Sequence, residues 1–141
     1  PVHCIASTWG ACLIDELQDI LKNLEKELFY KGTKRLSHGF SAKDARNKNG
    51  KKLFDVLEEN GSKIIYFFGL ATEYCDLQSV IPAVKSGKFE KIKVIEDLIA
   101  PVNKESGEIA IQTMKEAGVE FISMQDAMRE ILEYKQSNIT A

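Results

Sequence analysis

The stretch Ile64-Ile65-Tyr66-Phe67-Phe68-Gly69-Leu70-Ala71-Thr72-Glu73-Tyr74-Cys75 decides the fold class. Lys63 to Phe68 is apolar almost without interruption, and Gly69 breaks it. A short exit loop leads into Glu73 to Ser86, which reads as a helix closed by Gly87. A continuous apolar strand, unlike an alternating one, belongs in a sheet covered on both faces. Pro82 falls inside the following helix and predicts a kink or an early end.

Downstream the same alternation repeats. Lys91 to Glu96 reads as a strand, Asp97 to Asn103 as a loop holding Pro101, and Lys104 to Ala117 as a helix stopped by Gly118. Val119 to Ser123 is a strand and Gln125 to Tyr134 the last helix. Upstream, Lys51 to Glu59 carries Leu53, Phe54 and Leu57 at helical spacing before Asn60-Gly61. Thr33 to Asn49 is a polar loop, Glu27 to Lys31 a short strand ending at Gly32, and Ala11 to Leu24 an amphipathic helix. The pattern is that of an α/β domain, a parallel sheet with helices on both faces, whose sites lie at the carboxyl ends of strands.

A chain of 141 residues fits one domain and buries a core without staples. Its net charge of -2 gives no electrostatic reason to expect nucleic acid or an anionic membrane as partner. The basic cluster Lys43 to Lys52 lacks the aromatic interleaving of a nucleic-acid surface and reads as a solvated loop. No apolar run has the length of a membrane span. Three cysteines without framework spacing favour a reducing compartment, hence a cytoplasmic protein.

Cys75 follows the most apolar strand by one short loop, near a helix start. The partial positive charge there favours thiolate, and free N–H groups can receive an oxyanion. Position alone leaves Cys75 open between a nucleophile and a small buried side chain. Lys31 also ends a strand, where it can stabilise a thiolate or face water. His3 and Cys4 are adjacent, so on an extended chain they point opposite ways and do not ligate together. His38 lies in a loop and reads as solvent-facing, and Cys4 and Cys12 read as packed side chains.

Taken together, Pro1-Val2-His3-Cys4, Phe29-Tyr30-Lys31-Gly32 and Gly69-Leu70-Ala71-Thr72-Glu73-Tyr74-Cys75 resemble, in order and separation, the nicotinamidases of the isochorismatase-like cysteine hydrolase superfamily. Val94 to Ala100 and Met114 to Val119 extend the resemblance over nearly the whole chain. It implies a three-layer fold and an amidohydrolase that converts nicotinamide to nicotinate and ammonia through a thioester. Carried over by motif, Cys75 is the nucleophile and Lys31 the catalytic lysine. Leu70–Ala71 is the family's cis peptide, aiming the Ala71 and Cys75 N–H groups at the oxyanion. Tyr74 walls the ring pocket, and His3 is one ligand of a divalent metal, zinc or another transition metal. The implied partner is a small amide, and family members often self-associate into homo-oligomers.

The sequence departs from the pattern in three places. Ser7-Thr8-Trp9-Gly10 stands where a Gly-Thr-Pro-Gly stretch is usual. Ser37-His38-Gly39-Phe40 replaces Tyr-Ser-x-Phe, so His38 takes the place of a substrate-lining residue. The family's catalytic Asp, its first strand and its Asp-x-His metal motif all precede Pro-x-His-Cys, and none has a counterpart here. Residues 1–141 are therefore expected to be the C-terminal part of one hydrolase domain, lacking the first strand and needing a missing N-terminal segment. Rival readings are another amidase of the superfamily, a relative cleaving a vinyl ether (against which His3 speaks), and a non-catalytic interaction module of the fold.

Overall fold

The computed structural model describes residues 4–24, 26–33 and 39–139. Three parallel strands, β1 (Ile64–Leu70), β2 (Lys91–Ala100) and β3 (Glu120–Ile122), form a sheet in the order β1-β2-β3. Among the described residues five α-helices accompany them: α1 (Asp15–Leu21), α2 (Leu53–Glu59), α3 (Leu77–Ser86), α4 (Lys104–Glu116) and α5 (Met124–Ile139). The expected parallel α/β architecture is what forms.

Side chains alternate across β2, and this alternation sorts the helices to two faces. Ile92 and Val94 point into a core with Phe54 of α2, Val80 and Ala83 of α3, Met114 of α4, and Val119. Met114, Val80 and Val94 are fully buried. Each contributes about 1.5–3 kcal/mol relative to exposure. Phe54 and Phe89 meet edge to face, with centroids 5.8 Å apart. Lys93 points the other way, under α5, where it pairs with Glu130. Ser123 and Asp126 exchange hydrogen bonds at the start of α5, and the Met124 N–H donates to Asp97 at 2.6 Å.

Several element boundaries differ from the sequence reading. Glu27 to Lys31 forms no sheet strand. Tyr30 makes only an isolated antiparallel bridge to Arg46, which in turn bridges to Lys52. Among the described residues this short segment has no neighbouring strand of the main sheet to extend along, and it closes a local loop instead. The expected helix over Ala11 to Leu24 shrinks to α1 behind a 3-10 turn, Trp9–Ala11. No residue of α1 is buried, so its apolar spacing finds no core to propagate it. Cys4 and Cys12, read as packed, are exposed for the same reason.

β2 runs to Ala100 rather than ending at Glu96. It does so by bulging: Phe67 pairs with Val94 but Gly69 pairs with Ile99. Residues of the expected exit loop thus return to the ladder beside the end of β1. α3 continues through Pro82 to Ser86, where Gly87 closes it with φ 63°. β1 is the edge strand of the sheet among the described residues, and Phe68 and Leu70 on it are 62% and 70% exposed.

Candidate active site

The end of β1 and the turn after it build the site. The Leu70–Ala71 peptide is cis. Ala71 is followed by a single π-helical turn, Thr72–Asp76, before α3 begins. Cys75 therefore sits in that turn, not in the regular helix expected from Glu73 onward. A π turn accommodates an extra residue and recurs at functional sites. The Ala71 carbonyl accepts from the N–H groups of Tyr74 at 3.0 Å and Asp76 at 3.3 Å, which fixes the turn on the end of the strand.

Lys31 reaches this turn from far away in sequence. Its Nζ lies 3.0 Å from the Cys75 Sγ and also donates to the Gly39 carbonyl at 2.9 Å. An ammonium at that distance is placed to donate a charge-assisted hydrogen bond to the sulfur. The loop that bears Gly39 is pinched at its base. A Cβ on Gly39 would lie 2.6 Å from the Gly32 Cα, so only glycine fits this approach, at φ 67°. Phe40, the next residue, stacks at a tilt on Tyr74 with centroids 5.6 Å apart. Lys31, Cys75 and an aromatic wall thus meet at one end of the sheet.

The backbone of the nucleophile turn is braced on two sides. Glu73 accepts from the N–H groups of Val102 at 3.0 Å and Asn103 at 2.9 Å, and from the Ser106 hydroxyl at 3.3 Å. Burial opposes its charge. The backbone N–H groups of Asn103, Glu73 itself and Val102, with Ser106, outweigh that and hold the carboxyl below its usual range. The brace ties the turn to the start of α4, whose N-cap Asn103 accepts from the Ser106 N–H. On the other side, Ser79 bonds the Cys75 carbonyl.

Asp76, next to Cys75, is 7% exposed, and its Oδ2 has no hydrogen-bond partner among the described residues; neither has the Thr72 hydroxyl. Its Oδ1 packs where a side chain on Gly69 would come within 3.2 Å. Burial pushes the Asp76 carboxyl up, the Lys31 charge pulls it back, and Glu73 adds to the rise. A carboxyl raised in the native state lends stability in full below its unfolded value near 3.9 and loses it as pH rises through the native value. Asp76→Asn is therefore expected to match the parent protein in acid and to exceed it increasingly as pH rises to neutrality. Urea midpoints at pH 4 and pH 8 check this, and a stability gap independent of pH would refute it.

His3 and His38 lie outside the described residues. Among the described residues no three His, Cys, Asp or Glu side chains gather as a metal ion requires. No described helix is long and apolar enough to cross a membrane. Sequence reading missed Glu73, Asp76 and Ser79. Ser79 carried one signal: it stands four residues after Cys75, on the same helical face.

The family model of the isochorismatase domain matches residues 1–126. The nicotinamidase/pyrazinamidase of Mycobacterium tuberculosis is 29% identical over 122 residues, covering 86% of this chain and 62% of that protein. The PnC1 structure from L. infantum, in complex with nicotinate, superposes with a TM-score of 0.75 at 25% identity, over 89% of this chain and 61% of that one. The pyrazinamidase of Pyrococcus horikoshii, in complex with zinc, superposes with a TM-score of 0.69 at 28% identity, over 88% and 63%. The chain thus spans about three fifths of the length of these relatives.

Proposed function

Because this chain belongs to the isochorismatase domain family, we propose that it carries the nucleophile portion of a hydrolase that converts nicotinamide to nicotinate and ammonia. The observation that carries the reading is the 3.0 Å contact between Lys31 Nζ and Cys75 Sγ at the carboxyl end of β1. The Cys75 thiolate attacks the carboxamide carbon. The carbonyl oxygen becomes an oxyanion that accepts from the N–H groups of Ala71 and Cys75. The nitrogen takes a proton from the general acid of the relay as the C–N bond breaks and leaves as ammonia, and the water of the next step returns that proton to the acid. Water then adds to the thioester carbon, the C–S bond breaks, and the thiolate is restored with nicotinate released.

Tyr74 and Phe40 wall the pyridine ring. The nicotinate in the L. infantum structure supports a pyridine carboxylate as product. The zinc of the Pyrococcus enzyme supports a divalent metal in the full protein, with His3 as this chain's ligand. Residues 1–141 act as the later part of one domain, together with the segment that holds the acid of the proton relay.

Ammonia release from nicotinamide by the full-length protein tests the proposal. Turnover that disappears in Cys75→Ala is the expected result. No ammonia from nicotinamide, with Cys75 still open to iodoacetamide, would rule out this substrate.

A further inference from the structure

Ser79 stands in the first turn of α3, and only 5% of its surface is exposed. Its hydroxyl donates to the Cys75 carbonyl at 2.6 Å. A helical serine bonded to the carbonyl four residues back is ordinary. Its second bond is not: the same oxygen accepts from the Ala42 N–H at 2.9 Å, 37 residues away in the chain. Ala42 opens the 3-10 turn Ala42–Asp44 on the loop that also carries Gly39 and Phe40. Gly39 anchors Lys31, and Phe40 packs on Tyr74. One buried hydroxyl thus joins the nucleophile turn to the loop that makes the aromatic wall.

We propose that Ser79 is a positioning residue that fixes the Phe40–Tyr74 wall relative to the Cys75 sulfur, by tying Ala42 to the Cys75 carbonyl, and so gives the site its selectivity for ring-bearing amides. The substrate class rests on the amidase reading above; the link between the wall and the sulfur does not. Losing either hydrogen bond lets the Phe40–Ala42 part of the loop drift, while Gly39, pinched against Gly32, still holds Lys31 beside the sulfur. The wall then grips a ring less well, whereas a small reagent is unaffected.

Two reagents with one reactive group separate these effects in the full-length protein: iodoacetamide and 2-iodo-N-phenylacetamide. Modification is read at the Cys75 peptide by mass spectrometry, since Cys4 and Cys12 are exposed and also react. The parent protein should favour the phenyl reagent. Ser79→Ala should lose about three- to tenfold of that preference, the equivalent of one neutral hydrogen bond. The iodoacetamide rate should stay within about twofold, and Ser79→Thr should restore the preference.

Ala42→Pro is the second variant. It deletes only the loop's N–H, at the first position of a 3-10 turn, where proline is tolerated after an extended residue. Ser41 before it is extended, with φ -79° and ψ 134°. Ala42→Pro should reproduce the loss even if Ser79→Ala does not fold. A parent protein without ring preference, or both rates falling together in both variants, would overturn the proposal. A failed ammonia assay with the expected alkylation ratios would sink the substrate assignment and leave the positioning role standing.

Discussion

Lys31→Met is expected to slow alkylation of Cys75 by iodoacetamide at neutral pH by about ten- to hundredfold, and hydrolysis of nicotinamide at least as much. The ammonium lies 3.0 Å from the sulfur. Hydrogen bonds to charged groups are worth about 1.5–3 kcal/mol, and 1.4 kcal/mol is a factor of ten. Lys31 is exposed, so water takes over part of its role, which favours the lower end of that range. Methionine keeps the length of the stem and removes the charge. Lys31→Arg keeps the charge but replaces a compact donor by a planar fork, so it should recover only part of the rate. Cys75 reactivity within twofold of the parent in Lys31→Met would mean that the contact does not activate the thiol.

The contact between Lys31 and Cys75 shows where sequence reading works and where it stops. Each residue was legible as the end of an apolar segment, and the motif resemblance paired them across 44 positions. The strand assigned to Glu27 to Lys31 was not there, however. Lys31 is delivered by a pinched loop whose closure depends on two glycines meeting. β-propensity in a five-residue stretch says nothing of whether a partner strand lies alongside.

The core was readable because Ile92, Val94, Val80 and Ala83 follow strand and helix periods. The β2 bulge was not, since it follows from pairing with the end of β1 rather than from anything local to Ile95–Leu98. Glu73, Asp76 and Ser79 escaped for a related reason. Their partners are backbone groups and a glycine surface supplied by other segments, and backbone donors leave no trace in residue identity.

The largest effect on stability is expected away from the site, beneath α5. Lys93 is 5% exposed, and its Nζ lies 2.8 Å from Glu130 and 3.0 Å from Glu120. The Tyr66 hydroxyl donates to the other Glu130 oxygen at 2.8 Å. Burial works against the Lys93 charge, but the hydrogen bonds it donates to Glu130 and Glu120 overcome it and hold the ammonium above the ordinary lysine range. Lys93 and Tyr66 together hold the Glu130 carboxyl below its usual range.

Removing both acids by Glu120→Ala with Glu130→Ala strands a buried cation, which costs about 3–5 kcal/mol. Removing the cation instead, by Lys93→Met, leaves two acids whose side chains are 48% and 36% exposed and hydrate readily. That change should cost less than about 1 kcal/mol, and adding it to the double variant should recover most of the loss.

The signs with pH follow from the two shifts. Lys93, raised, lends its stability in full below about 10.4 and loses it as pH climbs through the higher native value. Glu130, lowered, lends stability above about 4.3 and loses it as pH falls through the lower native value. Between those limits the network's contribution is flat. Urea denaturation of the full-length protein at pH 7 measures the variants. If Lys93→Met costs as much as the double change, the ion pairs themselves, rather than the avoidance of an unpaired buried charge, hold α5 to the sheet.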